Sequence, residues 1–496
     1  MKSARMLVGA SAALVSVLAV AGCKKAAPPE GSGGSAVASA AAPSDAAPVA
    51  AKKDACAGGD KRGPLTWRED DFAGAQACAR QRGVPLVVDM WAPWCHTCLS
   101  MSQYVLTDPA FAPFADRFVF VGIDTDRETN ADVVAKLPIN NWPTYFVLSP
   151  DDGAVQARFV GSATVPQFRD FLAQGEAGFL DAKAGGLAAD DPLRLVRDGD
   201  RAVIAKDLVA ADAAYTAALA KAPADWARRP DVLVALIGVK YKRSDLVGCV
   251  DLGLSAMDQT GKAASVADFL VWATSCAEER AKDDPAKAKA LREHAVARLA
   301  SLVDDATAPL SVDDRSDAMA NLRELHEVLG DKARAHAVAE RQRALLDDAA
   351  AKAPSPMAAS TYNWPRAEVY VYLERPLDLV PVLEQSAKDL PTEYDPLYRL
   401  SWVQLKAGKL DDAKASAAKA AALAYGPRKA KILALAGDIA KAQNDKDGER
   451  AARAAVVALY QGLPAGQVTP DAIEKAKAAL AAVDAPAAPV APVAAH

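Results

Sequence analysis

Three regimes of hydrophobic patterning follow one another along the chain. Residues 6–20 form one apolar run behind Lys2 and Arg5, and residues 23–62 then carry almost no large apolar side chain. From Gly63 to about Gly175, apolar runs of the buried-strand kind ("PLVVDMWA", "RFVFVGIDTD", "TYFVLSP", "VQARFVG") are separated by helical periodicity. "DDFAGAQACARQRG", ending in Gly83, and "VPQFRDFLAQ" are two such helical segments. Interleaved strands and helices predict an α/β layer fold. From about Leu187 to Leu480 the alternation stops, and helix follows helix with short polar breaks.

Composition narrows the class. At 496 residues, with 6% aromatics and abundant alanine, the chain predicts several domains and many close-packed helices rather than a large β sandwich. A net charge of −5 with no basic domain argues against nucleic acid as a partner. The positive start and short apolar run read as a secretory signal over 1–22, too short to span as a mature helix. Residues 23–62, rich in Ala, Pro, Gly and Ser, cannot pack a core and read as a disordered tether, and the 481–496 tail "APAAPVAPVAAH" is disordered by composition.

Val20-Ala21-Gly22-Cys23 resembles the lipobox of bacterial lipoproteins. That resemblance implies cleavage before Cys23, a lipid on Cys23, and a body tethered to an envelope membrane and facing the periplasm. The other reading is a plain secretory signal with a chance cysteine. Lys24 stands where an aspartate would argue for the inner membrane, which favours the outer one. Apart from Cys23, six cysteines remain, and in an exported protein an even number suggests disulfides. Neighbourhood suggests Cys56–Cys78, Cys95–Cys98 and Cys249–Cys276. Cys249 and Cys276 could equally be small buried hydrophobes.

The stretch "VVDMWAPWCHTCLSM" holds the candidate chemistry. Covalent haem attachment needs histidine after the second cysteine, and Leu99 stands there. Zinc needs two further ligands, and no second Cys/His pair exists at suitable spacing, which leaves only recruitment of Cys56 and Cys78. His294, His326, His336 and His496 have no ligand-like company, so neither metal nor cofactor is expected. Around Cys95-x-x-Cys98, Trp94 precedes the pair, Asp89 lies six residues before Cys95, Trp142-Pro143-Thr144 follows downstream, and Gly161 follows the last strand. Together these resemble a thioredoxin-fold domain, over 63–178. Within that superfamily the segment is most similar to the C-terminal thioredoxin-like domain of transmembrane thiol–disulfide interchange proteins and their small relatives. The likeness covers about a quarter of the chain.

The resemblance implies roles. Cys95, at a helix N-terminus that favours a thiolate, is the nucleophile, and Cys98, one turn on, resolves the mixed disulfide. Asp89, at the end of a buried strand where it is costly to keep charged, assists deprotonation of Cys98; a strand-end aspartate exposed to water is the other reading. Pro143 matches the cis-proline whose loop pairs with the substrate backbone. Trp142 before it is larger than is usual in relatives. Trp94, His96, Thr97, Trp142 and Pro143 would line the substrate groove. A histidinium at His96 would make the disulfide more oxidising. The strongest oxidants, however, place histidine beside the second cysteine, and a solvent-facing His96 is the other reading.

In the helical region "DLVAADAAYTAALAKAP" and "AGKLDDAKASAAKAAAL" resemble the second helix of a tetratricopeptide repeat, with small residues at Ala211, Ala218, Ala413 and Ala420. The expectation is a tetratricopeptide-like solenoid over 187–480, although "SPMAASTYNWPRAEVYVYLERPLDLV" fits poorly. A non-repetitive helical bundle is the alternative. Such an array offers a concave face to a protein or peptide partner. Trp226, Trp272, Tyr362, Trp364, Tyr394 and Trp402 are candidates for that face, most of them expected to be core. The whole predicts a membrane-tethered thiol–disulfide oxidoreductase, a reductase or electron relay acting on protein thiols or disulfides and recharged by a membrane electron donor. An envelope interaction scaffold, with the repeats as the working part, is the competing class.

Overall fold

The computed structural model describes residues 55–484. The expected signal over 1–22, Cys23, most of the tether and the tail beyond Asp484 lie outside the described residues. A six-stranded mixed sheet comes first: β1 (Asp60–Arg62), β2 (Leu65–Glu69), β3 (Leu86–Trp91), β4 (Val119–Asp124), β5 (Thr144–Leu148) and β6 (Val155–Val160). The spatial order is β1-β2-β4-β3-β5-β6, with β4 parallel to β2 and β3 and the other pairs antiparallel. Helices α1 (Phe72–Arg82), α2 (His96–Ser100), α3 (Ala131–Lys136) and α4 (Val165–Lys183) accompany it.

Continuous apolar strands appear because both faces of the sheet are covered. Leu86, Val88 and Met90 pack with Val121, Ile123 and Phe146 beside Ala75 and Cys78 of α1. Their alternating neighbours Val87, Phe120 and Tyr145 meet Phe168 and Phe171 of α4. By the same alternation Asp89 shares the face of Val87. Asp71 caps α1 by accepting from the Gly74 amide, and Gly83 ends it at φ 69°.

The folded body begins earlier than the composition suggests. The tether was expected to reach Arg62, yet Cys56 is bonded to Cys78 (S–S 2.19 Å) and β1 pairs with β2. "DKR" carries no apolar signal because β1 is a short polar edge strand. Likewise α4 outruns the expected boundary at 178 and reaches Lys183. Its Thr164–Gln167 capping box and buried Phe179 carry it on.

From Pro192 to Asp484 the chain is a repeat-like all-α region. Left-handed residues recur at the helix–helix corners Lys206, Ser244, Gly330, Glu374, Gly408 and Asn444, with φ between 58° and 83°. In four of these corners the following aspartate (Asp207, Asp245, Asp331, Asp445) caps the next helix by accepting from the amide three residues on. Ala211, Ala218, Ala413 and Ala420 are fully buried where neighbouring helices meet. Of the six aromatics proposed for a concave face, Tyr362 and Tyr394 are buried and the four tryptophans half-buried.

Cys249 and Cys276, on the helices Leu246–Ala256 and Ser265–Arg280, are bonded at 2.00 Å. The bridge closes a sequence separation of 27. Replacing both cysteines with alanine is expected to lower stability by about 3 kcal/mol, from the loop entropy returned to the unfolded chain. Urea unfolding checks this, and an unmoved midpoint would show the bridge to be inert.

Candidate functional site

Cys95 is the N-cap of α2, and its Sγ accepts a hydrogen bond from the Cys98 amide at 3.0 Å. That amide is the donor that would stabilise a thiolate on Cys95. The two sulfurs are bonded, and the residues are only 5% and 3% exposed. The Trp142–Pro143 peptide is cis. The Pro143 carbonyl accepts from the Gly161 amide at 2.9 Å, which ties this loop to the end of β6. Trp142 Nε1 donates to Thr125 Oγ1 at 2.8 Å, and its ring lies 5.2 Å from that of Trp94.

Asp89 is not at a strand end, as the sequence suggested, but within β3, opposite Gly122 and Tyr145. It is 3% exposed, and Oδ1 has no hydrogen-bond partner among the described residues. Burial pushes its carboxyl up to about 7, with Arg62 opposing and Glu69 adding. Asp89, Cys98 and Arg62 line a cavity of about 210 Å³. Its other wall is the helical array, through Met357, Ser360 and Pro396.

The array therefore forms half of the site. His96 Nδ1 lies 2.8 Å from Asp313 Oδ1, on the helix Val312–Val328. Burial pulls the imidazole down, but Asp313 and Asp317 outweigh it and take it up to about 10. Arg399, on the helix Tyr394–Lys406, donates from Nη2 to the Trp94 carbonyl at 2.9 Å and from Nε to Asp395 at 3.1 Å. Arg428 stacks 4.8 Å over the Trp94 ring, whose Nε1 donates to Asp126 Oδ2 at 2.8 Å. Thr97 and Trp142 border a second cavity, about 80 Å³, closed by Asp268, Trp272, Asp314 and Asp317. Further out, the Tyr425 hydroxyl donates to Asp124 Oδ2 at 2.5 Å, and Gln467 Nε2 donates to the carbonyls of Thr125 and Arg127. Gly426 (φ 54°) allows the tightest approach: a Cβ there would lie 1.9 Å from the Asp126 carbonyl oxygen.

Residues 66–150 match the model of the family described as thioredoxin-like. They form a thioredoxin-like domain. Over 92 residues the chain is 27% identical to the chloroplastic thioredoxin-like protein CITRX of Solanum tuberosum, covering 18% of this chain and 50% of that protein. Its Arabidopsis thaliana counterpart is 29% identical over 91 residues, covering 18% and 48%. The chain thus spans about half the length of the curated relatives it matches. Among solved structures, a tetratricopeptide repeat protein from Parabacteroides merdae aligns with 59% of this chain and 98% of its own, at 16% identity and a TM-score of 0.38.

Of the residues singled out in the sequence, the structure brings Cys95, Cys98, Asp89, Trp94, His96, Thr97, Trp142 and Pro143 together at one end of the thioredoxin-like domain. Cys56, Cys78, Cys249 and Cys276 lie apart in the two remaining bridges. His96 faces protein rather than open solvent, its side chain 23% exposed. His96, Asp313 and Asp317 offer ligand atoms within 4.8 Å of one another, but the direct His96–Asp313 contact has the length of a hydrogen-bonded ion pair. Sequence reasoning missed Asp313, Asp317, Arg399 and Arg428. Asp313 stands inside a capping box between Ser311 and Asp314, and Arg399 follows Asp395 by one helical turn, so both read as ordinary helix-surface charge. Nothing local marks them.

Proposed function

We propose that this chain is a thiol–disulfide oxidoreductase of the cell envelope, a reductase or electron relay, tethered by a lipid on Cys23 and facing the periplasm from the outer membrane. The observation that carries the redox reading is the bonded Cys95–Cys98 pair whose Cys98 shares one cavity with Asp89, a carboxyl pushed up by burial to about 7. In the reduced enzyme the Cys95 thiolate attacks a client disulfide, forming a mixed disulfide and releasing one client thiolate. Asp89 takes the Cys98 proton, and Cys98 Sγ attacks Cys95 Sγ and releases the second client thiolate. The products are the Cys95–Cys98 disulfide and two client thiols. A membrane electron donor restores the dithiol. No metal or cofactor enters this cycle.

The array serves this chemistry twice in this reading. One side closes over the Cys95–Cys98 turn. Another carries an open groove of about 690 Å³ with Leu397, Leu400 and Leu423 on its walls, which suits a protein or peptide partner. That groove also supports the alternative reading, an interaction scaffold with vestigial redox activity. Thiol trapping of the full chain across a glutathione or dithiothreitol series separates the two. A potential near −270 mV (about thioredoxin's) supports a reductant, and one of about −120 to −180 mV an oxidant or isomerase. Cys95→Ser is expected to reduce turnover by roughly 10³-fold or more. A wild-type pair that never cycles leaves the scaffold.

A further inference from the structure

The imidazole between the two cysteines is committed to a carboxylate that belongs to another part of the chain. Asp313 is 217 positions downstream of His96, 1% exposed, and hydrogen-bonded to Nδ1 at 2.8 Å. Asp317, one turn further along the same helix, places a carboxylate oxygen within 4.8 Å of both. The other charged groups facing this spot are Glu368 from the helix Asn363–Tyr372 and, across the adjoining cavity, Asp268 and Asp314. The array thus surrounds the one cation of the Cys-His-Thr-Cys turn with acid.

Elementary electrostatics fixes the consequence. A free imidazolium beside Cys95 stabilises the thiolate, and with it the reduced enzyme. An imidazolium neutralised by a carboxylate at contact distance loses most of that influence, because the two fields largely cancel at the sulfur. Resting on the redox reading above, we propose that Asp313 is a positioning residue of the redox centre: by pairing with Nδ1 of His96 it cancels the imidazolium's pull on Cys95 and keeps the dithiol more reducing than its own motif would make it. The exchange at issue is Cys95–Cys98 disulfide plus two glutathione thiols giving the dithiol plus glutathione disulfide. Two electrons and two protons pass to the enzyme.

Full-length protein, thiol-trapped across a glutathione series, tests this. Asp313→Asn removes the one carboxylate in direct contact with the imidazolium and leaves Asp317 farther off. The equilibrium is then expected to move about tenfold toward the dithiol, which is about 30 mV more oxidising. Asp313→Glu is expected to stay within about twofold of wild type. His96→Gln together with Asp313→Asn removes both charges of the pair and is also expected to stay within about twofold of wild type, because two fields that largely cancel at the sulfur leave together. A shift under twofold for Asp313→Asn alone overturns the proposal, and so does a tenfold move of the double variant in either direction. Should Asp313→Asn fail to fold, the double variant decides alone: a tenfold move toward the disulfide would mean that the imidazolium acts on Cys95 unopposed. In all these outcomes the wild-type pair still cycles. A wild-type pair that does not cycle fails the parent reading instead.

Discussion

Asp89→Asn is expected to yield a protein that is more stable at pH 8 than the wild type and slower in disulfide exchange. In the folded state the carboxyl is held up to about 7, against an ordinary 3.8. Between those values the native state binds a proton that the unfolded chain does not. The stability due to this group is therefore full below pH 4 and is lost as pH rises through 7. Three units correspond to about 4 kcal/mol as an upper bound, and about 2–4 kcal/mol should return at pH 8 when the charge is removed. At pH 4 the variant and wild type should coincide. Asp126 and Asp124, raised by burial to about 7 and about 6, act in the same window, so the wild type itself should be more stable at pH 5 than at pH 8. In the proposed cycle the same substitution removes the proton acceptor for Cys98, and turnover near pH 7 should fall about 10²-fold. Urea unfolding at the two pH values and steady-state reduction of a disulfide substrate check both halves. Equal stabilisation at pH 4 and pH 8 would show that no buried charge is being relieved.

The second large effect belongs to Arg399. The residue is 3% exposed, and its guanidinium pairs with Asp395, donates to the Trp94 carbonyl and stacks 4.2 Å over Trp364. Arg399→Ala removes one member of a buried ion pair and leaves Asp395 only its longer contact with Arg428 (3.8 Å), which costs about 3 kcal/mol. Arg399→Lys should recover little, because an ammonium cannot bridge Asp395 and Trp94 with one planar fork. Loosening Trp94 also uncovers Cys95. In the reduced full chain, alkylation of Cys95 by iodoacetamide should accelerate roughly tenfold, as expected when a contact worth more than 1.4 kcal/mol is lost from the closed form. Unchanged alkylation would mean that the array does not govern access to the sulfur.

How far the sequence reaches depends on whether a feature is local. The apolar runs of β3 to β6 were legible because both faces of the sheet are buried. Gly83 was legible as a helix stop, and the Cys95–Cys98 turn as a redox motif with its companions Trp94, Asp89 and Pro143. β1 was not, since a three-residue polar edge strand has no periodicity to read. Cys56 shows its partner only by neighbourhood, because its surroundings have the composition of a tether. The contacts from Asp313, Arg399 and Arg428 were illegible for a different reason: each is a charge in an ordinary helix, and only tertiary folding places it on the motif. One signal was available. The segment from Ser355 that fitted the repeat pattern poorly is broken into Pro356–Ser360 and Asn363–Tyr372. It is this stretch that receives the Tyr104 hydroxyl at the Ala358 carbonyl (3.1 Å), walls the Asp89 cavity with Met357 and Ser360, and supplies Trp364 beneath Arg399. A lapse in a repeat marked the place where the array meets the sheet.

Repeat proteins ordinarily change length with ease, since each unit touches only its neighbours and a duplicated unit finds a ready place in the stack. This array has given up that freedom. Trp272, Asp313, Arg399, Arg428 and Gln467 reach one small domain from five different helices or turns. A helix pair gained or lost between Trp272 and Gln467 would carry whatever follows it out of register with Trp94 and Thr125. The count of helices across that span is therefore tied to the size of a single redox turn, and in descendants of this chain it should stay constant while the ends outside it grow or shrink.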